Sequence, residues 1–192
     1  MTDHGSAAAS SLMNALRATY DASIAVGYSP LVSTSIYCGE YSKQQILWVM
    51  AGNYAVSQGE YTGAELRQMM EWLVNVKDNG ANPIRHRNYM PVTSGMEYKV
   101  TEYEQGKFRL EELTINGAPL DDTATYTVFV AGIDVWIENE VYCNCPMPEN
   151  LKAKRTEYAI EGAESRSCLK DSLAVSKQFP APSEYLTIVQ GE

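Results

Sequence analysis

Two stretches decide the fold: "EYTGAELRQMMEWLVNVKDNG", residues 60–80, and "LTINGAPLDDTATYTVFV", residues 113–130. In the first, Thr62 stands three residues before Glu65, the spacing of a capping box. The hydroxyl takes an amide of the first turn, and the carboxylate reaches back to the N-cap amide. Leu66, Met69, Met70 and Leu73 then recur at i, i+3, i+4 and i+7, so one face of the helix is apolar, and "DNG" at 78–80 supplies a stop. Packing in a core accounts for the methionines. In the second stretch, Asn116-Gly117 suits a tight turn, and the chain runs on through "APLDDTAT" into the β-branched and aromatic strand "YTVFVAG".

Upstream, "SSLMNALRATY" reads as a short helix with Leu12, Ala15, Leu16 and Thr19 on one face, followed by an apolar strand "SIAV". Ser29 and Pro30 open a loop. In "YSKQQILWVMAGN", Ser42 and Gln45 form a second capping box ahead of Ile46, Val49 and Met50, and Gly52 stops the helix. Downstream, "MEYKVTEY" and "RLEELTI" alternate as strands do. After "PMPEN" the pattern weakens, with "ESRSCLKDSLAVSKQF" as a last helix and "EYLTIVQ" as a closing strand. Helices early and strands later give an α+β domain with a mostly antiparallel or mixed sheet and packed helices. Residues 1–10 read as a linker or disordered end, and residues 11–192 as one domain.

Length and charge bound what such a domain does. A chain of 192 residues can bury a real core. Its net charge is −9 with basic residues scattered, which argues against a nucleic-acid partner. No apolar run reaches the roughly 20 residues that span a bilayer. The N-terminal "MTDHGSAAASSLMNAL" lacks the basic and apolar regions of a signal peptide. The four cysteines are Cys38, Cys143, Cys145 and Cys168. "CNC" is too closely spaced for a zinc knuckle and has no histidine beside it, so a metal site is not expected. Disulfides in an exported protein and free buried thiols both remain open.

The ordered series "YTGAELRQMME", "YMPVTSGMEY" and "LTINGAPLDDTATYTV" resembles the C-terminal, substrate-binding domain of bacterial 5′-nucleotidases and UDP-sugar hydrolases. The resemblance is strongest over residues 14–142. That family carries elements of the type "LTG-x-x-L", "[FY]-x-Q-[VI]-SG" and "L-x-[IV]-NG-x-P" in this order. It implies a division of labour: an N-terminal metallophosphatase domain with two divalent metals hydrolyses the phosphate ester, while this domain holds the nucleoside between aromatic rings. On that reading the chain is the second domain alone and needs no cofactor of its own. Its ligand is a nucleoside, nucleotide or sugar nucleotide, its partner a metallophosphatase domain in cis or in trans, and its location extracytoplasmic or at the cell surface. The histidine content agrees, since His4 and His86 are too few for a dinuclear site.

The resemblance implies site residues one position at a time. Tyr89, in "NYMPVTSG", stands where the family places one ring of an aromatic clamp; alternatively its ring packs on the core at a strand end. Asn53, in "MAGN", matches the Asn of the family's "PFGN" and would bond the base or hold the loop. A helix C-cap is its structural alternative. The second ring of the clamp follows a "GGDG[FY]" turn in the family. Here the segment reads "WIENEVYC", with Tyr142 as the nearest aromatic and Trp136 as the alternative. Where the family often has an Arg for the phosphate or ribose, this chain reads "YSPLVS", with Leu31 and Val32. The competing reading is a degenerate family domain that serves as an interaction or structural module.

Overall fold

The structure is a computed structural model that describes residues 7–28, 40, 42–49, 53–75, 90–104, 107–133 and 147–191. In chain order the elements are α1 (Ala7–Thr19), β1 (Ile24–Tyr28), α2 (Lys43–Val49), β2 (Ala55–Thr62), α3 (Gly63–Asn75), β3 (Pro91–Ser94) and β4 (Glu97–Glu104). There follow β5 (Lys107–Ile115), β6 (Ala118–Pro119), β7 (Thr125–Ala131), α4 (Glu149–Glu157), β8 (Ala159–Glu164), α5 (Ser165–Ser176) and β9 (Leu186–Gln190). The fold is α+β, and among the described residues the strands divide into two mixed sheets. One is five-stranded in the order β3-β1-β7-β2-β8, the other four-stranded in the order β6-β5-β4-β9. Pairing is antiparallel except between β1 and β7 and between β4 and β9.

Both capping boxes form. The amide of Thr62 donates to Glu65 Oε2 at 2.8 Å, and the amide of Glu65 donates to Thr62 Oγ1 at 3.3 Å. Ser42 and Gln45 exchange the equivalent pair at 2.8 and 3.2 Å. The stripe Leu66, Met69, Met70 and Leu73 is buried throughout, against strands of both sheets. The "DNG" stop at 78–80 lies outside the described residues.

The two opening stretches meet. The amides of Gly63 and Ala64, the first of α3, donate to the carbonyls of Ala124 and Asp122 at 2.9 and 3.0 Å. The turn after β6 thereby satisfies donors that a helix start leaves without partners. Contact is so close that a Cβ at position 63 would lie 2.0 Å from the Asp121 carbonyl oxygen. Arg67 locks the other side of the turn, with Nη2 2.8 Å from Asp122 Oδ1. On the far flank Lys154 of α4 donates to Glu65 Oε2 at 2.6 Å and to the Glu60 carbonyl at 3.1 Å. Its Nζ stands 5.4 Å from the centroid of the Tyr61 ring. Burial pushes the Tyr61 phenol up to about 12.

The structure departs from the sequence reading in four places. α1 begins at Ala7, so residues 7–10 belong to the domain rather than to a linker; residues 1–6 lie outside the described residues. Ala9 and Ser10 are buried. β2 runs straight into α3 with no loop, and its polar Ser57, Gln58 and Glu60 hide a strand that pairs on both sides, with β7 and β8. The strand-rich second half does not form one sheet. Asn116 and Gly117 both have positive φ, 53° and 76°, and close a hairpin between β5 and the two-residue β6, after which β7 joins the other sheet. Finally, α4 and β8 fill the stretch where the pattern weakened. Only Leu151 of α4 is buried, so the helix has no apolar stripe to read.

A strap, residues 177–185, leads from α5 to β9 across α1. Ser10 Oγ donates to the Ser183 carbonyl and accepts from the Ser183 amide, both at 2.8 Å. Asn14 Nδ2 donates to the Ala181 carbonyl at 2.8 Å, and Ser11 Oγ donates to that of Pro180.

Gly63→Ala should lower the unfolding free energy by about 1–3 kcal/mol, because backbone must shift to admit the methyl group. Gly117→Ala, with nothing within 4 Å of the new Cβ, should cost only the left-handed conformation, about 1 kcal/mol. Urea unfolding of both variants checks the order. Acid stability checks the cap. Burial alone would raise the Glu65 carboxyl, but the bonds from Lys154 and Thr62 outweigh it and hold the group below its ordinary value. Its contribution is therefore complete above the unfolded pKa, about 4.3, and is lost as pH falls through the lower folded value. Glu65→Gln should flatten the fall in stability over that acid range, as read from unfolding midpoints at a series of pH values.

Candidate functional site

The strand order brings the chain segments of interest to one end of the five-stranded sheet. At that end Tyr28 pairs with Pro91, Gly27 with Ala131, Ala131 with Val56, and Ala55 with Glu164. Met90, next after Tyr89, therefore enters β3 there, and Ile133 leaves β7 there, ahead of the segment with Trp136 and Tyr142. Asn53 precedes β2 at the same end. From β3 to β2 is three strand spacings, roughly 14 Å, which puts these entry points on one rim. Tyr89, Trp136 and Tyr142 themselves lie outside the described residues, as do Leu31, Val32, His4 and His86.

Asn53 is described, and its side chain is engaged. Nδ2 donates to Glu164 Oε2, and Oδ1 accepts from the Arg166 amide at 3.2 Å. Next to it, the Tyr54 amide donates to Ser165 Oγ at 3.0 Å, and the Ser165 amide donates to the Tyr54 carbonyl at 2.8 Å. Residues 53 and 54 thus clip the start of α5 to the start of β2. Glu164 is held in turn, since its amide donates to Ser167 Oγ at 3.1 Å. Sequence reasoning expected Asn53 as a helix C-cap or a ligand contact and missed this clip, because Glu164 and Arg166 are more than a hundred residues away. The amide side chain keeps a fixed orientation at the rim, with its carbonyl turned to α5.

The chain has two histidines, and among the described residues no three His, Cys, Asp or Glu side chains gather as ligands. Cys168 on α5 is buried with a free thiol, which burial pushes above its ordinary value; the other three cysteines lie outside the described residues. Among the described residues no helix is long and apolar enough to cross a membrane.

The family model described as 5′-nucleotidase, C-terminal domain, matches residues 3–133. No curated protein matches the sequence. Among solved structures, a 5′-nucleotidase precursor from Thermus thermophilus superposes with a TM-score of 0.64 at 18% identity, over 96% of this chain and 35% of that one. The NAD nucleotidase of Haemophilus influenzae gives 0.68 at 13% identity, over 98% and 34%. A putative 5′-nucleotidase from Staphylococcus aureus gives 0.62 at 16%, over 96% and 36%. At these identities the likeness is one of fold, and the chain spans about a third of the length of each protein.

Removing the clip should be felt without any ligand. Asn53→Ala deletes two hydrogen bonds at the junction of β2 and α5 and should destabilise the chain by about 1–2 kcal/mol. Thermal unfolding without ligand measures this; an unchanged midpoint would leave the clip without structural weight.

Proposed function

The chain belongs to the 5′-nucleotidase C-terminal domain family, and we propose on that footing that it is the substrate-binding part of a nucleotidase-type phosphoesterase. Hydrolysis falls to a separate metallophosphatase domain, in cis or in trans. This chain takes a nucleoside, nucleotide or sugar nucleotide and stacks its base on aromatic rings, with Tyr89 on one side and Tyr142 or Trp136 on the other. Asn53 contributes an amide of fixed orientation beside them. By family, the setting is extracytoplasmic or at the cell surface.

The observation that supports this reading is the convergence of Met90, Ile133 and Asn53 on one end of the sheet, since a stacking site needs its rings to come from segments that start close together. Phosphate recognition is expected to be weak. Leu31 and Val32 offer no guanidinium where the family has one, and a net charge of −9 repels a dianion at long range.

Adenosine and adenosine monophosphate should therefore bind with similar, modest affinity, and Tyr89→Ala should weaken both about tenfold or more, because stacking a base on an aromatic side chain is worth about 1–3 kcal/mol. Arg85→Ala and Arg87→Ala should change binding less. Calorimetry on the four proteins makes the comparison. No binding of either compound at millimolar concentration would favour the degenerate interaction module; far tighter binding of the monophosphate would reveal a phosphate-binding group elsewhere.

A further inference from the structure

The tip of the β5–β6 hairpin pairs two residues whose side chain and backbone can react with each other. Asn116 and Gly117 both stand in the left-handed region, with φ of 53° and 76°, and residues 116–119 are all exposed. The ladder closes at Ile115 and Ala118, so the Gly117 amide sits outside it, at the tip. Among the described residues nothing lies within 4 Å of the place where a Gly117 Cβ would stand. The other described asparagines are held differently. Asn14, Asn53, Asn75 and Asn150 each bond through the side-chain amide, and each precedes a residue that has a Cβ. Asn116 differs on both counts: its side chain bonds to none of the described residues, and glycine follows it.

Joining the Gly117 nitrogen to Asn116 Cγ closes a five-membered ring, so the chain itself holds the reacting atoms near each other. The nitrogen gives its proton to a base in the solvent and attacks Cγ. The Cγ–Nδ2 bond then breaks, Nδ2 leaves as ammonia with a proton from water, and a cyclic imide remains. Water opens that ring in one of two ways. Cleaving the bond from the Gly117 nitrogen to Cγ gives aspartate; cleaving the bond from that nitrogen to the backbone carbonyl carbon of residue 116 gives isoaspartate, whose main chain runs through Cβ. Water is the only co-reactant and nothing is oxidised or reduced. A Cβ on the following residue would crowd the attacking nitrogen, and glycine has none.

We propose that Asn116 is a site of spontaneous covalent modification in the folded protein, where it loses ammonia and becomes isoaspartate, and that the change unties the β5–β6 hairpin. Isoaspartate adds one carbon to the main chain of a turn only two residues long. Ile115 then no longer sits opposite Ala118, nor Thr114 opposite Pro119. The bond from the Leu120 amide to the Leu113 carbonyl, 2.9 Å, loses its register with them. Charge acts in the same direction. Gly117 lines a cleft with Glu97, Glu112 and Glu184, and Lys99 in that cleft is already paired with Glu112 at 3.1 Å, so the new carboxylate meets like charges.

The test keeps the full chain folded at mildly alkaline pH and physiological temperature for days, digests samples in acid, and follows the peptide containing residue 116 by mass spectrometry. That peptide should shift from the mass of the amide to that of the acid, with isoaspartate in excess of aspartate as read by isoaspartyl methyltransferase labelling. Gly117→Ala should slow the conversion about tenfold, because its Cβ hinders the attack that glycine permits. The second Asn-Gly pair, at 79–80, is scored in its own peptide. Protein carrying the change at 116 alone, separated by ion exchange on its added charge, should unfold at a lower temperature than unmodified chain. The proposal is overturned if residue 116 stays an amide in the folded chain yet converts in urea, or if aspartate forms without isoaspartate. Equal rates in Gly117→Ala, or equal unfolding of modified and unmodified chains, overturn it as well.

Discussion

The placement of α3 hangs on one close approach, between the first residue of the helix and the turn at 121–124. Gly63 admits the Asp121 carbonyl to a distance that a side chain would forbid, and in return the helix start receives two backbone carbonyls. Thr62 and Glu65 complete the set, so the donors of the first turn are met by protein groups on both flanks. Because α3 packs on β2 and β3 in one sheet and on β5 in the other, fixing its N-terminus fixes how the sheets share a single core. It also removes this helix terminus from any role in anion binding: Glu65 supplies negative charge there, and Lys154 neutralises it.

What could be read from the sequence was whatever is local. The capping boxes, the stripe on α3, the Asn116-Gly117 turn and the last helix and strand rest on residues within a few positions of one another, and each forms where the pattern puts it. β2 and α4 were not legible, for opposite physical reasons. β2 pairs on both sides yet carries Ser57, Gln58 and Glu60, so no run of apolar residues announces it. α4 is held through single side chains, Leu151, Lys154 and the Tyr158 ring beside Tyr61, and not by an apolar stripe. The division into two sheets was hidden as well, because the hairpin after β5 is only two residues deep before the chain crosses over.

The candidate site rests on resemblance and not on spacing. Nothing between residues 53 and 133 says that Asn53, Met90 and Ile133 share a rim; the parallel pairing of β1 with β7 and the placement of β3 and β2 on their outer sides do that. The clip from Asn53 to Glu164 and Arg166 shows the same dependence on distant chain. A side chain that the family pattern offers to a ligand is here a structural tie, so the effect of substitution at this position has to be measured first without ligand.

The strap across α1 has a consequence for how the chain is made. Ser10 and Ser183 bond across 173 positions, and Ser11 and Asn14 find their partners almost as far along. At a synthesis rate of about 5–20 residues per second, the polar row of α1 waits on the order of 10–30 s for the carbonyls it will bind. During that interval the helix can settle on β1 and β3, but the side that faces the strap stays open to water. Serine and asparagine suit that wait, since their hydroxyls and amide bond to solvent as readily as to protein.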